Sequence, residues 1–83
     1  MRLDKYLKVS RIIKRRTVAN EAASLGRVTI NGKTAKPSSE VSEGDVLDLL
    51  MGGKHMLFRI TSVRETVRKE EAADMYEVVQ DGK

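Results

Sequence analysis

Apolar residues recur at helical spacing from the start of the chain. Leu3, Tyr6 and Leu7 fall on one face of a helix predicted over residues 2–9, with basic residues on the other side. A straight continuation at about 100° per residue would turn Ile12 toward the basic side. We therefore expect the helix to end or bend just after this range, with the two following isoleucines turned inward.

A second helix is predicted after the basic connector at residues 14–16. Thr17 is expected to cap it, because a hydroxyl can accept the backbone N–H groups left free at a helix start. Gly26 suits the positive φ of a helix end. The predicted core stripe consists of Val18, Ala22 and Leu25, with Ala19 and Ala23 beside it.

Residues 27–36 carry the strongest local signal, an Asn31-Gly32 pair between two short alternating runs. This pair favours a type I′ hairpin turn, in which both central residues have positive φ. The register then places Ile30 opposite Lys33. The hairpin is expected to turn its apolar side chains inward and to present Arg27 and Lys36 on the opposite face.

The second half of the chain predicts two further strands and a short helix. VLDLLM over residues 46–51 and MLFRITSV over 56–63 favour strands, separated by a glycine pair. VRKEEAADMY over 67–76 favours a helix that docks on the sheet, and residues 80–83 are expected to fray. Core positions are predicted at alternate residues of the two strands: Leu47, Leu49, Met51, Met56, Phe58 and Ile60.

These elements predict an α+β fold within one domain over residues 1–83. Two packed N-terminal helices would lie against a small, mainly antiparallel sheet, followed by a short C-terminal helix. A chain of 83 residues has room for one modest core.

Charge is polarised along the chain. Residues 1–36 hold ten Lys or Arg against two acids, whereas residues 37–83 hold six against ten, so the basic groups are concentrated in the first half. Such a field suits the binding of a polyanion. With three aromatic residues in the chain there is no platform for base stacking, so contacts to phosphates and shape are expected.

Several function classes are excluded or disfavoured by the residue types present. The absence of cysteine excludes disulfides, thiolate zinc sites and a cysteine nucleophile. His55 follows a glycine pair without a matching acid or thiol in sequence, so it is interpreted as an exposed loop residue. No phosphate loop or dinucleotide motif occurs. We expect no enzyme activity, no catalytic residues, no cofactor and no metal.

The basic N-terminal region leaves three interpretations: a solvated face, a membrane surface and a nucleic-acid interface. Its apolar stripe is short and is needed by the core, which disfavours a membrane, and no apolar run approaches a membrane span. We therefore expect a soluble, cytoplasmic protein. Nucleic acid is the preferred partner, and RNA is favoured over DNA because the second helix, VANEAASL, has no Lys or Arg with which to read a major groove.

The pattern R-L-D-K-x-L, R-T-x-A, G-R-V-x-[IV]-N-G, K-P-S and a later G-D resembles the S-four domain, an RNA-binding module. The resemblance covers residues 2–50, the expected RNA-binding core, and leaves residues 51–83 as a C-terminal strand and helix extension. The chain is most similar to stand-alone bacterial members that act in ribosome-associated quality control, which are related to the heat-shock S-four protein.

This resemblance implies the alpha-L motif, in which two helices and a hairpin form the RNA face. It also implies a ribosome-associated factor whose partners are large-subunit rRNA, peptidyl-tRNA on a dissociated large subunit, and an RqcH-type factor that adds a C-terminal alanine tail. No membrane partner is expected, and the protein is expected to be monomeric.

The resemblance further implies which residues contact RNA. Asp4 is expected to orient neighbouring basic groups, and Asn20 stands where many relatives have a basic residue. The implied RNA-binding residues are Arg2, Lys5, Lys8, Arg11, Lys14, Arg15, Arg16, Thr17, Arg27, Lys33, Lys36 and Ser38.

Three alternatives stay open. The first is a heat-shock-type factor that recycles blocked large subunits without tailing. The second is an RNA-binding accessory subunit of a separate RNA-modifying enzyme, and the third is a structural or protein-interaction domain.

Overall fold

The computed structural model describes residues 1–79 as two helices on one side of a five-stranded antiparallel sheet. The sheet order is β2-β1-β3-β4-β5. This arrangement confirms the α+β fold class. The elements are α1 (Leu3–Val9), α2 (Arg16–Ser24), β1 (Val28–Ile30), β2 (Lys33–Thr34), β3 (Val46–Met51), β4 (Lys54–Ile60), a 3₁₀ helix (Lys69–Met75) and β5 (Tyr76–Val79).

Helix α1 ends where the sequence predicts a break. Arg11 adopts a left-handed conformation with φ 63°, and its N–H donates to the Lys8 carbonyl at 3.0 Å. This turn redirects the chain, so that the Ile13 N–H reaches the Leu7 carbonyl at 3.0 Å. The Ile13 side chain is buried, as predicted, whereas Ile12 is half-buried.

Helix α2 corrects two predictions. Thr17 does not cap it, because the helix begins at Arg16 and Thr17 already lies in its first turn, with an exposed side chain. The predicted core stripe is wrong at two of its three residues, since Val18 and Leu25 are 38% and 59% exposed, whereas Ala22 is buried. The buried face is made of Ala19, Ala22 and Ala23. Alanines on this face let the backbones of α1 and α2 approach closely, and this packing turns the larger side chains outward.

The Asn31-Gly32 hairpin has the predicted register, with Ile30 opposite Lys33. Both turn residues have positive φ, 52° for Asn31 and 86° for Gly32, as a type I′ turn requires. The Asn31 side chain also joins the turn to the start of β3. Its Oδ1 accepts the Val46 N–H at 3.0 Å, and its Nδ2 donates to Asp45 Oδ1 at 3.0 Å.

The core lies between the helices and the inner face of the sheet. Its fully buried side chains include Leu3, Tyr6, Leu7, Val28, Leu47, Leu49, Ile60 and Met75. The predicted inward orientation fails at Met51 and Met56, which are 40% and 46% exposed. These two residues lie near the glycine turn that joins β3 to β4. Strand β4 starts two residues earlier than predicted, because Met51 pairs with Lys54.

The C-terminal part differs most from the prediction. The expected helix over residues 67–76 is a 3₁₀ helix ending at Met75, and the chain continues as strand β5, which sequence analysis missed. Strand β5 pairs with β4, with Ile60 opposite Tyr76. Docking of the short helix is confirmed by burial of Ala72 and Met75. Residues 80–83, predicted to fray, lie outside the described residues.

A buried hydrogen bond connects α1 to this C-terminal part. The Tyr6 hydroxyl donates to the Met75 carbonyl at 2.7 Å, and Thr61 N–H donates to the same carbonyl at 2.9 Å. Burial raises the pKa of Tyr6, so the hydroxyl keeps its proton and acts as a donor.

We predict that Tyr6→Phe lowers the free energy of unfolding by about 1 kcal/mol, since it removes one buried hydrogen bond and retains the ring. For a domain of this size the midpoint of thermal unfolding should fall by about 4–8 °C. Tyr76→Phe is the matched control, because within residues 1–79 no hydrogen bond of the Tyr76 hydroxyl is found. Equal stability of Tyr6→Phe and wild type in urea denaturation would contradict a stabilising role for the bond.

Candidate nucleic-acid interface

A buried carboxylate organises basic residues from two helices. Asp4 on α1 is 2% exposed and accepts the backbone N–H of Lys5 at 2.7 Å. Arg2 approaches it with two nitrogens, each at 3.2 Å. From α2, Arg16 Nη2 lies 3.4 Å from Oδ1 and Asn20 Nδ2 lies 3.3 Å from Oδ2. The expectation that Asp4 orients neighbouring basic groups is confirmed.

Asp4 stays ionised because its partners outweigh its burial. Burial raises the pKa of this carboxyl. Hydrogen bonds from Asn20, Arg2 and the Lys5 backbone, together with the charge of Arg16, lower the pKa by more than burial raises it. The net effect is a pKa below the ordinary value of an aspartate. The two arginines keep about half of their side chains exposed, 49% for Arg2 and 48% for Arg16. They are thus held in place while remaining accessible to a ligand.

A hollow beside this cluster brings together three cations of α1 and α2. Lys5, Lys8 and Arg16 line it on one side. The other side is formed by the segment after β4, including Glu65 and Val67. Glu65 forms an ion pair with Lys5, and this pairing lowers the pKa of the Glu65 carboxyl. Sequence analysis missed Glu65, because nothing local connects positions 60 residues apart.

The segment after the hairpin adds its polar residues next to Arg2. The Ser39 and Pro37 carbonyls accept the first two N–H groups of α1, from Leu3 at 2.8 Å and Asp4 at 3.1 Å. These bonds satisfy donors that a helix start leaves free. They bring the predicted residues Lys36 and Ser38, both exposed, to the N-terminal end of α1.

The remaining predicted residues are distributed more widely. The basic residues of the connector and hairpin are exposed: Arg11, Lys14, Arg15 and Lys33. Thr17 lines a shallow depression with Asp4, Arg16 and Asn20. Arg27 lies in a separate hollow with Val18 and Leu25, on the other flank of α2. The structure therefore gathers Arg2, Lys5, Lys8, Arg16, Thr17, Lys36 and Ser38 around α1 and the adjoining side of α2, whereas Arg27 lines the hollow on the other flank of α2.

The prediction that the one histidine is a loop residue without an acidic partner is wrong. His55 lies in β4, and its Nδ1 is 2.8 Å from Asp48 Oδ1 on β3. The antiparallel register places His55 opposite Leu50, so that Asp48, two residues away on β3, is its diagonal neighbour. Among residues 1–79 no group of three His, Asp or Glu side chains is placed to hold a metal ion. Over the same range, no helix has the length and apolar character needed to cross a membrane.

Comparison with known proteins places this geometry in a known family. The S4 domain family matches residues 1–47. A protein named RQC P-site tRNA stabilizing factor from Halalkalibacterium halodurans is 58% identical over 78 residues, covering 94% of this chain and 89% of that protein. A protein of the same name from Bacillus subtilis is 51% identical, covering 100% of this chain and 96% of that protein.

A solved structure has the same fold. Heat shock protein 15 from Vibrio cholerae, described as trimeric, has a TM-score of 0.87 with 32% sequence identity. The match covers 95% of this chain and 81% of that chain. This likeness confirms the two-helix and sheet architecture predicted from the sequence.

We predict that Asp4→Asn destabilises the protein at neutral pH by about 1–3 kcal/mol, because it leaves buried and partly buried donors without a charged acceptor. The folded-state pKa of Asp4 lies below its unfolded-state value, so this stabilisation is complete above an ordinary aspartate pKa and is lost as pH falls through the folded-state pKa. The difference between wild type and variant should therefore shrink in strongly acidic solution.

Urea denaturation at several pH values between 7 and 3 measures this difference. Glu77→Gln is the control, since it removes an exposed carboxylate that pairs with Arg59 at 2.7 Å. A wild-type curve parallel to that of Asp4→Asn over the whole pH range would rule out the linkage.

Proposed function

The chain belongs to the S4 domain family, and on this premise we propose that it is an RNA-binding factor of bacterial ribosome-associated quality control. In this proposal it binds the dissociated large ribosomal subunit carrying peptidyl-tRNA and contacts both rRNA and the P-site tRNA. It acts as a binding factor without catalysis of its own. The relatives named RQC P-site tRNA stabilizing factor support this assignment at 51–58% identity over nearly the whole chain.

The observation that carries the proposal is the Asp4-centred cluster. Arg2 and Arg16 are fixed by a buried carboxylate and yet half exposed. A guanidinium held in this way loses little side-chain freedom when it binds a phosphate, so the surface is preorganised for a polyanion. A solvated charged face would not need a buried acid to orient it.

The aromatic residues support recognition of phosphates and shape. Tyr6 and Phe58 are buried in the core. Tyr76 is half-buried and meets the Phe58 ring edge-on, with ring centroids 5.2 Å apart. All three aromatic side chains thus contribute to packing. RNA binding by this surface would depend on cations and on the fold of the RNA, as in other cases where structured RNA is recognised without base stacking.

The finer parts of the proposal concern partners and organisation. We propose that residues 2–50 are the RNA-binding core and residues 51–83 an extension of it in a single domain. An RqcH-type tailing factor is the proposed protein partner, with alanine tailing of the stalled chain as the outcome. The protein would be cytoplasmic, ribosome-associated and monomeric. Gel filtration tests the last point, since the Vibrio cholerae relative is described as a trimer.

A second candidate function is a heat-shock-type factor that recycles blocked large subunits without tailing. The structural similarity to heat shock protein 15, with a TM-score of 0.87, supports this second function as a candidate. The two functions differ in one measurable outcome: loss of the protein would abolish alanine tails on stalled chains only under the first.

We predict that Arg16→Ala weakens binding to large-subunit rRNA and to tRNA by about tenfold, since it removes one phosphate contact. If about six cations contact phosphates, the wild-type slope of log affinity against log salt should be roughly −4 to −5, and the variant slope should be smaller in magnitude by about 1. Asp4 keeps Arg2, Asn20 and a backbone donor, so the variant should stay folded.

Arg59→Ala is the matched control for this measurement. Its side chain has the same exposure as Arg16, 48%, and also pairs with a carboxylate, but it lies on strand β4. We expect Arg59→Ala to reduce RNA affinity much less than Arg16→Ala does. Equal affinity of a folded Arg16→Ala variant and wild type would contradict the site.

The cellular role is tested by sedimentation of lysate on a sucrose gradient. We predict that the protein migrates with free large subunits and that this co-migration is lost after nuclease treatment or after puromycin releases nascent chains. Migration at the top of the gradient in low salt would show that the basic surface serves another anion.

A further inference from the structure

The hollow beside α1 contains a carboxylate that no part of the proposed function uses. Three cations, Lys5, Lys8 and Arg16, line one wall, and Glu65 is the acid of the opposite wall. Eleven of the twelve predicted RNA-binding residues are exposed, whereas Lys5 is only half-exposed. Its ammonium group is engaged by Glu65. The cation in the centre of the basic helix is thus neutralised within the free protein.

Glu65 is held at this place by the packing of its own segment. Val63 and Val67, two residues before and after it, pack against the hydrophobic core. The segment is tied to the 3₁₀ helix at its start, where Thr61 Oγ1 donates to the Asp74 carbonyl at 2.9 Å. At its end the Arg68 carbonyl accepts the Glu71 N–H at 2.9 Å. Both ends of the segment are therefore fixed, and the bend between them presents Glu65 to α1.

An anionic ligand can readily break the ion pair between Lys5 and Glu65. The Glu65 side chain is 73% exposed, and ion pairs between exposed side chains contribute little to stability. An RNA phosphate carries the same negative charge as a carboxylate and can contact Lys5, Lys8 and Arg16 together. RNA binding would thus replace one weak internal contact by several stronger ones.

We propose that Glu65 is an internal competitor that occupies the phosphate position of Lys5 in the free protein and is displaced when RNA binds. This inference rests on the proposed RNA-binding function and adds a residue outside the matched S4 segment to it. Its effect is to lower the affinity of the protein for RNA and so to favour release of bound RNA.

The test is RNA affinity of Glu65→Gln, measured with large-subunit rRNA and with tRNA. We expect the dissociation constant to fall by about 2- to 5-fold, the factor that corresponds to loss of an exposed ion pair. The salt slope should become only slightly steeper, because Lys5 contacts a phosphate in both proteins, whereas only wild type frees a carboxylate that attracts salt cations on binding. Glu77→Gln is the control, since it removes a carboxylate of a second exposed ion pair, with Arg59 on the sheet. Its affinity should stay close to that of wild type.

A double-mutant cycle with Lys5→Gln separates local competition from general charge. If Glu65 acts through Lys5, Glu65→Gln should bring no gain in the Lys5→Gln background. An equal gain in both backgrounds, or an equal gain from Glu77→Gln, would overturn the proposal. Loss of affinity in Arg16→Ala without any gain in Glu65→Gln would overturn the competitor role alone. No change in any of these variants would refute the RNA-binding function as well.

Discussion

The position of the two helices depends on one buried charge. Asp4 lies in α1, and the side chains that satisfy it come from its own helix start and from α2. Isolated burial of a carboxylate is costly, and here Arg2, Arg16, Asn20 and the Lys5 N–H share the stabilisation of the ionised form. The alanine face of α2 permits the close approach that brings these donors within reach. The packing of the two helices therefore also determines where the charged side chains of this surface lie.

The pairing of Asp4 with two arginines explains how a small domain can hold so many cations close together. Like charges at close range oppose folding, and exposed pairs cannot compensate for much of that cost. A single acid with two arginines relieves the repulsion at the centre of the cluster and leaves each arginine able to bind another anion. The same groups that stabilise the helix pair in the free protein are thus exposed on the proposed RNA-binding surface. Asp4 contributes to that surface by positioning the arginines, although its own atoms are buried.

Local signals were sufficient for much of the fold. The Asn31-Gly32 turn, the stripe of α1 and the strand over residues 46–51 each depend on neighbours within a few residues, and the structure has them as predicted. The rotation of α2 was not predictable in this way, because close packing against α1 decides it and a valine and a leucine gave a misleading apolar stripe. Strand β5 directly follows a segment whose composition favours a helix, and no glycine or proline in the sequence marks the boundary between them. Pairing with β4 is what makes this segment a strand. The proposed RNA-binding residues of the first helix followed from charge and family pattern, whereas Glu65 reaches α1 only through the tertiary fold.

The bond from Tyr6 to Met75 links residues 69 positions apart. During synthesis the first helix emerges well before the 3₁₀ helix that contributes Met75 to its surroundings. Because contacts between distant residues form only after the intervening chain is closed into a loop, α1 cannot reach its final packing until the chain has been made as far as Met75. A product truncated before Met75 would carry the basic residues on a helix that lacks this buried hydrogen bond. The fold thereby makes translation as far as Met75 a condition for the final packing of α1, in a protein whose proposed work begins where translation of other chains has failed.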